Sequence, residues 1–329
     1  MTALAPTLQA FFTDRLVRQR QASPATVTAY RDTFRLLLGY LAERTGRSPS
    51  ALGFEDLDAP VIVEFLQHLE VDRHNSARTR NARLAALRAL FHYAAICHPE
   101  HAAVIARVLA IPQKRHDKAV VAFLTTNEVD ALIAAPDLDR WEGRRDRALL
   151  VLAIQTGLRV SELTALDCGD VTLDAGAHVR CDGKGRKQRA VPLTTNTAAV
   201  LRIWLRERGG LSVDPLFPTR TGRRLSRDAI ERRVSTHAAT AARQCTSLHG
   251  KQLTPHVLRH TTAMALLQAG VDVAVIALWL GHEDIRSTQI YLHADLAIKE
   301  RALARTTPNG VRPGRYRPPD PLLAFLDSL

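Results

Sequence analysis

At 329 residues, 46% of them hydrophobic, the chain can bury a substantial core and is long enough for two domains. Its formal net charge of +12 at pH 7 implies a polyanionic partner, because uncompensated positive charge attracts phosphate and repels itself when nothing binds. The charge sits almost wholly on arginine, 39 residues against 6 lysines, and a guanidinium grips phosphate through paired hydrogen bonds. The four cysteines, Cys97, Cys168, Cys181 and Cys245, form no CxxC pair and no zinc spacing, which predicts reduced thiols, a cytoplasmic setting and no metal site. The first residues lack a basic start followed by an apolar core, and no apolar run approaches about 18 residues, so secretion and membrane spanning are not expected. An RNA-binding module using charge alone would interleave aromatics with its basic residues, and aromatics are only 5% here.

In chain order, apolar residues recur with helical period from residue 7 to 96 and predict four helices near 7–20, 24–44, 59–71 and 77–96. Ser23 before Pro24 marks one start, since serine caps free amides and proline fits the first helical position. The last of the four carries Arg73, Arg78, Arg80, Arg83 and Arg88 with no acid among them. That run reads as a phosphate-contacting face, or on the plainer reading as a solvated one. Residues 97–122 break the periodicity with Pro99, Pro112 and a basic stretch, and predict a linker between a helical domain at 1–96 and a second domain at 123–305.

The second domain opens where Thr125 or Thr126 precedes Glu128, a helix-start pattern. Helices follow near 127–135, 142–156, 160–166, 195–208, 226–245, 255–269, 271–280 and 287–293. Between them "AHVRCDGKGRKQRAVPL" (177–193) alternates about a glycine-rich turn and predicts a β-hairpin. The expected fold class is mainly α in two domains, the second being α+β with one small antiparallel sheet. Residues 306–321 are too rich in proline, glycine and arginine for a packed element. The "LLAFLDSL" that comes next spaces Leu322, Phe325, Leu326 and Leu329 helically, and a helix so short must dock, on its own domain or on a neighbouring subunit.

Four segments could carry chemistry. In "TGLRVSEL" (156–163), Arg159 follows a glycine turn and Glu162 stands one helical turn on, which taken alone is more often a structural ion pair. "CDGKGRKQRAVPL" sets Lys184 between two glycines at the hairpin tip, where a backbone can approach a large ligand, although a turn lysine is often merely solvated. In "LTPHVLRHTTA" (253–263), Thr254 and Pro255 start a helix, so His256 and Arg259 fall on one face of its opening turns beside free amides and the positive dipole end. In "LGHEDIRSTQIYLHADL" (280–296), an unbroken helix would put His282 and Tyr291 on nearly opposite faces. Gly281 as a stop and Asp284 or Ser287 as a new start supply the turn that lets both reach one site. His293, roughly 200° around from Tyr291, should face away.

Together "TGLRxSEL", "GKGxKxR", "HxLRH" and "LGHxxIxxTxxYxH", in that order from about residue 125 to 293, resemble the motifs of the tyrosine recombinase, or phage integrase, family. The helical first domain is similar more weakly. The resemblance implies a nucleophile at Tyr291, phosphate-binding arginines at Arg159 and Arg259, supporting roles for Lys184, His256 and His282, and the family's usual acidic residue at Glu162. It implies a site-specific recombinase that cleaves and rejoins double-stranded DNA through a 3′-phosphotyrosyl link, with no metal, ATP or other cofactor.

The chemistry of those residue types fits these roles. Two guanidiniums can bear the charge developing on the non-bridging phosphate oxygens. A phenol with pKa near 10 needs its proton removed before it attacks, yet its phosphodiester stores the bond for rejoining. Lys184 is then a candidate general acid for the leaving 5′ oxygen, His256 could assist at the tyrosine, and His282 could hydrogen-bond the phosphate. Exchange between two duplexes needs four sites, hence a tetramer on DNA, and the resemblance implies that the C-terminal tail can pass to the next subunit. Arg186 and Lys187, with Arg223, Arg224 and Arg227 in the run at 220–233, join the arginines of 73–88 as expected DNA contacts. A type IB topoisomerase-like enzyme and a catalytically silent DNA-binding regulator are the rival readings. Transposition, or other movement of a mobile element, is among the roles the resemblance allows.

Overall fold

The computed structural model describes residues 4–115, 121–183, 188–282, 284, 287, 288 and 291. The chain divides into two compact units, Met1–Ala119 and Val120–Leu329. Among the described residues no helix is long and apolar enough to cross a membrane.

The first unit is helical. α1 (Leu4–Ala10) runs into a π-helical stretch, Phe11–Gln19, and is followed by α2 (Pro24–Thr45), α3 (Ala59–Val71), α4 (Ala77–Cys97) and α5 (Ala102–Ala110). Ser23 caps α2 as its motif predicts, its hydroxyl accepting the Thr26 N–H at 3.2 Å. The core joins Phe11, Phe34, Leu37, Phe65, Leu69, Leu87 and Phe91, all buried. α5 lies within the stretch expected to be linker. Its Ile105 and Val108 are buried in this same core, because "AAVIARVLA" places apolar residues at i and i+3 once Pro99 has set a new helix start.

The arginines of α4 and the turn before it divide. Arg73 and Arg78 are exposed, whereas Arg80 is only 5% exposed and donates to the Pro112 carbonyl at 3.0 Å. Arg83 reaches the Ala29 carbonyl and the Thr33 hydroxyl, both at 3.0 Å, and Arg88 donates to the Ile111 carbonyl. Three of the five guanidiniums therefore hold backbone carbonyls of their own unit.

The second unit contains α6 (Thr126–Ala134), α7 (Trp141–Thr156), α8 (Val160–Ala165), β1 (Val171–Thr172), β2 (His178–Asp182), β3 (Gln188–Pro192), α9 (Thr195–Arg208), α10 (Arg227–Ala241), α11 (Pro255–Gln268) and α12 (Val273–Leu280). The three strands form an antiparallel sheet in the order β1-β2-β3, with Val179 opposite Val171 on one side and Val191 on the other. Val179 and Val191 face the core with Leu149, Leu152, Leu201 and Trp204, around the apolar second half of α7. α6 starts at the predicted capping box, Thr125 N–H reaching Glu128 Oε2 at 2.9 Å.

A buried ionic cluster ties α7 to α10. Arg145 makes two bonds to Asp146 Oδ1 at 2.9 and 2.7 Å and one to the Pro218 carbonyl at 2.9 Å. His237 Nε2 meets the other Asp146 oxygen at 2.9 Å. Burial alone would raise the Asp146 pKa, but His237 and the charges of Arg145 and Arg233 hold it below the usual carboxylate range.

Candidate active site

Two glycines shape the site. α7 ends at Gly157 with φ of 65°, and α12 ends at Gly281 with φ of 66°; both are left-handed caps that glycine adopts at little cost. A Cβ on Gly157 would lie 2.6 Å from Leu280 Cδ2 and 3.2 Å from Thr262 Cβ, so any other residue here must displace these packed side chains.

The arginines of the motifs fasten this junction. Arg259, in the second turn of α11 and only 3% exposed, donates to the carbonyls of Gly157 and Leu280, each at 2.7 Å. Arg159, at the start of α8, donates to the Gly281 carbonyl at 2.8 Å and to Glu162 Oε1 at 2.9 Å. The Glu162 carboxylate also accepts the Arg159 backbone N–H at 2.7 Å. Burial, and next the Arg159 charge, pull the Arg259 pKa down to about 10, so this guanidinium still stays charged at neutral pH.

Glu162, 3% exposed, has a further partner. Arg189, on β3, grips it with two bonds at 2.9 and 2.8 Å and reaches the Trp279 carbonyl at 3.2 Å. Burial works to raise the Glu162 pKa, yet Arg189, the Arg159 N–H and both positive charges hold it below its ordinary range. The site thus has a third arginine that positions the first. Arg189 is the final residue of the "GKGxKxR" motif, and its place at the end of that motif was the available signal.

Tyr291 lies at the same junction, 2% exposed, among Ala263, Met264, Leu267, Ile276 and Leu280. Its hydroxyl is 2.9 Å from His260 Nδ1. The imidazole bonded to the phenol is thus the last residue of "HxLRH", next to Arg259 and absent from the expected set. His256, which is exposed, packs edge-to-face on His260 with ring centroids 4.2 Å apart. His282 follows Gly281, stacks along Tyr291 with centroids 6.5 Å apart and an interplanar angle of 12°, and bonds Thr288 Oγ1 through Nδ1 at 2.6 Å. That contact leaves Nε2 to point elsewhere. Burial raises the Tyr291 pKa above its ordinary value, against the charges of Arg259 and Arg159. Burial first, and then neighbouring positive groups, lower both His260 and His282 to about 4, so both imidazoles are neutral at pH 7.

Of the expected site residues, Arg159, Glu162, His256, Arg259, His282 and Tyr291 belong to this one neighbourhood. The hairpin tip with Lys184, Arg186 and Lys187 lies outside the described residues, as do His293 and the tail residues Leu322, Phe325, Leu326 and Leu329. In the run at 220–233, Arg223 is exposed. Arg224 braces the end of α8 through the Ala165 carbonyl at 2.7 Å and Asp167 at 2.6 Å. Arg227 pairs with Glu231 at 2.8 Å on its own helix.

A two-part chain with a helical first unit, and a second unit bringing arginines, histidines and a tyrosine from separated motifs to one junction, is the arrangement of a tyrosine-based DNA strand exchanger. Residues 122–297 match the phage integrase family and residues 10–96 its N-terminal SAM-like domain. The chain is 54% identical over 329 residues to a protein of Sinorhizobium fredii named putative integrase/recombinase y4rC, covering 99% of this chain and 98% of that one. It is 33% identical over 315 residues to the tyrosine recombinase XerD of Pseudomonas putida, covering 94% and 100% respectively. Among solved structures, XerH in a post-cleavage complex with palindromic difH aligns with a TM-score of 0.70 at 24% identity, over 87% of this chain and 81% of that one. The Tn1549 transposon integrase in complex with transposon right end DNA aligns with a TM-score of 0.68 at 17% identity, over 93% and 99%. The chain belongs to the tyrosine recombinase, or phage integrase, family: it is an enzyme that cleaves and rejoins DNA at specific sites.

Proposed function

We propose that Tyr291 is the nucleophile, attacking a scissile phosphate to give a 3′-phosphotyrosyl link and a free 5′ hydroxyl, and that a 5′ hydroxyl of a partner duplex reverses the step. What supports this reading is the junction itself: Arg159, Arg259 and Tyr291, from three separate motifs, meet where α7 and α12 end. Arg159 and Arg259 would stabilise the two non-bridging oxygens, the charge for which preorganised donors are most effective. His282, with Nδ1 held by Thr288, would present Nε2 to the same phosphate, and Lys184 would protonate the leaving 5′ oxygen. The energy of the broken phosphodiester stays in the tyrosine ester, so rejoining needs no ATP.

At 2% exposure Tyr291 is covered, so what covers it must open before a duplex meets its hydroxyl, which makes cleavage conditional on binding and assembly. The assembly proposed is a tetramer on paired sites, with the tail residues Leu322, Phe325, Leu326 and Leu329 docking on a neighbouring subunit. Leu278 and Val275, exposed on α12 at 76% and 49%, offer apolar surface of the kind such a helix needs. The proposed substrate is double-stranded DNA carrying a specific recombination site, in keeping with the integrase/recombinase name of the 54%-identical relative.

The deciding experiment offers nicked suicide duplexes, drawn from DNA flanking the gene, and seeks a covalent adduct on a denaturing gel. An adduct with the wild-type protein and none with Tyr291→Phe is expected; an adduct that persists with Tyr291→Phe removes the nucleophile assignment. Plasmid relaxation without exchange between sites would favour the topoisomerase-like reading instead. Deleting residues 308–329 should abolish cooperativity on paired sites, and unchanged cooperativity would mean the tail docks on its own subunit.

A further inference from the structure

We propose that His260 is a catalytic residue of this enzyme: it accepts the Tyr291 phenolic proton at Nδ1 during cleavage and returns it when the tyrosine leaves on rejoining. The proposal rests on Tyr291 being the nucleophile. Its basis is geometric. His260 Nδ1 and the Tyr291 hydroxyl are 2.9 Å apart, within reach for direct proton transfer, and their rings meet edge-to-face with centroids 5.4 Å apart. His260 sits on α11 one residue after Arg259, so the helix that carries a proposed phosphate-binding arginine also sets the base against the Tyr291 oxygen. His256, at the start of the same helix, packs on His260 and so supports the base.

The groups facing His260 are His256 and Arg259 on its own helix, with His282 and Tyr291 from the packed segment. Burial first, and then the neighbouring His256 and Arg259, hold the free imidazole neutral, with a pKa lowered to about 4. A neutral imidazole with its proton on Nε2 is an acceptor at Nδ1, so the Tyr291 O–H donates to it. Burial raises the pKa of the Tyr291 phenol, so proton transfer to this imidazole is unfavourable in the free protein. The phenol therefore stays protonated and unreactive without DNA. A phosphodiester held by Arg159 and Arg259 reverses the local field, because it opposes the Arg259 charge and brings its own negative charge beside the imidazole.

The step balances. The Tyr291 O–H bond breaks, its proton passes to His260 Nδ1, the phenolate oxygen bonds to phosphorus, and the 5′ oxygen leaves with a proton from the general acid. On rejoining, the attacking 5′ hydroxyl gives its proton back to the general acid as its oxygen bonds to phosphorus, and the imidazolium returns its proton to the departing phenolate.

The test uses the full chain and two nicked duplexes, one with an ordinary scissile linkage and one with sulfur at the 5′ bridging position, which leaves without an acid. With the sulfur duplex, wild-type cleavage should be flat from about pH 6 to 9, while His260→Asn and His260→Gln should cleave about 10²–10³-fold more slowly and rise with pH toward unit slope. Slow cleavage restored to the wild-type rate by sulfur would place His260 on the leaving-group side, and an unchanged pH profile would make it a packing residue; either overturns the proposal. Absence of an adduct with Tyr291→Phe, measured alongside, keeps failure here separate from failure of the nucleophile assignment. Should the variants not fold, ¹⁵N-histidine NMR of the wild-type protein decides: the Nε2–H tautomer is expected at His260. A proton on Nδ1 would mean that His260 donates to the phenol, and the proposal would fall.

Discussion

Replacing Glu162 with glutamine keeps the side chain's shape and removes its charge, which isolates the carboxylate's contribution. Wild-type Glu162 accepts two bonds from Arg189, one from the Arg159 side chain and one from the Arg159 backbone. A glutamine offers one oxygen, and its NH₂ would turn donors toward donors. Arg189, whose side chain is 13% exposed, would then be a largely buried cation with its partner gone. Breaking a buried pair from one side costs ~3–5 kcal/mol. The lower end, ~3 kcal/mol, applies because the Arg159 side chain is 32% exposed and can turn to water. For a unit the size of Val120–Leu329 that corresponds to a fall in Tm of ~6–12 °C.

The chain's three tryptophans, Trp141, Trp204 and Trp279, all lie in this second unit, so tryptophan fluorescence follows its melting without interference from the first. The loss should also depend on pH. The folded pKa of Glu162 is depressed, so the stabilisation is complete above its unfolded value near 4.5 and fades as pH falls through the folded one. Wild-type and Glu162→Gln melting curves should accordingly differ at pH 7 and converge in acid. Arg189→Met combined with Glu162→Gln should cost less than the sum of the two singles. A Tm within about 2 °C of wild type at pH 7, or a gap that persists unchanged into acid, would refute the claim that this carboxylate holds the arginines in place.

Gly157→Ala should be worse than an ordinary left-handed glycine substitution: its Cβ meets Leu280 Cδ2 at 2.6 Å, whereas Gly176, also at positive φ, has open space. Thermal melts should show a loss of ~1–2 kcal/mol for Gly176→Ala, and a further ~1–3 kcal/mol with loss of adduct formation for Gly157→Ala. Asp146→Asn removes the charge shared by Arg145, His237 and Arg233 and should cost ~3 kcal/mol at pH 7. Because the folded Asp146 pKa is depressed, that difference should shrink below its unfolded value near 3.8, as urea titrations at several pH values would show. On α4, exposed Arg78→Ala should leave the melt unchanged and reduce the salt slope of DNA binding by ~0.9 if it meets one phosphate. Arg83→Ala, which strips a donor from Ala29 and Thr33, should lower stability by ~1.5–3 kcal/mol.

The contrast between Arg78 and Arg83 marks where the sequence stops being readable. An acid-free arginine run beside an apolar stripe looks the same whether its guanidiniums face phosphate or carbonyls of their own chain. The acceptors for Arg80, Arg83 and Arg88 are the backbone oxygens of Pro112, Ala29 and Ile111, and every residue type has such an oxygen. Caps are different, because they use side chains at fixed short spacing. Ser23, Thr125 and Thr254 therefore mark their helix starts in the sequence, and Gly157 and Gly281 mark the ends that bring Arg159 and Tyr291 together. Arg189 and His260 fall between these cases. Both occupy the final positions of recognisable motifs, but the partner of each is set by a tertiary approach, β3 toward α8 and α11 toward the segment of Tyr291. His260 is four residues from His256, about 40° around the helix, so spacing alone does not say which of the two imidazoles meets the phenol. Only when the Gly281 turn folds the chain back does the phenol arrive at His260 rather than at His256. The residue nearest the proposed chemistry was thus the hardest to assign from spacing, because its role depends on how two segments meet in space and not on their order along the chain.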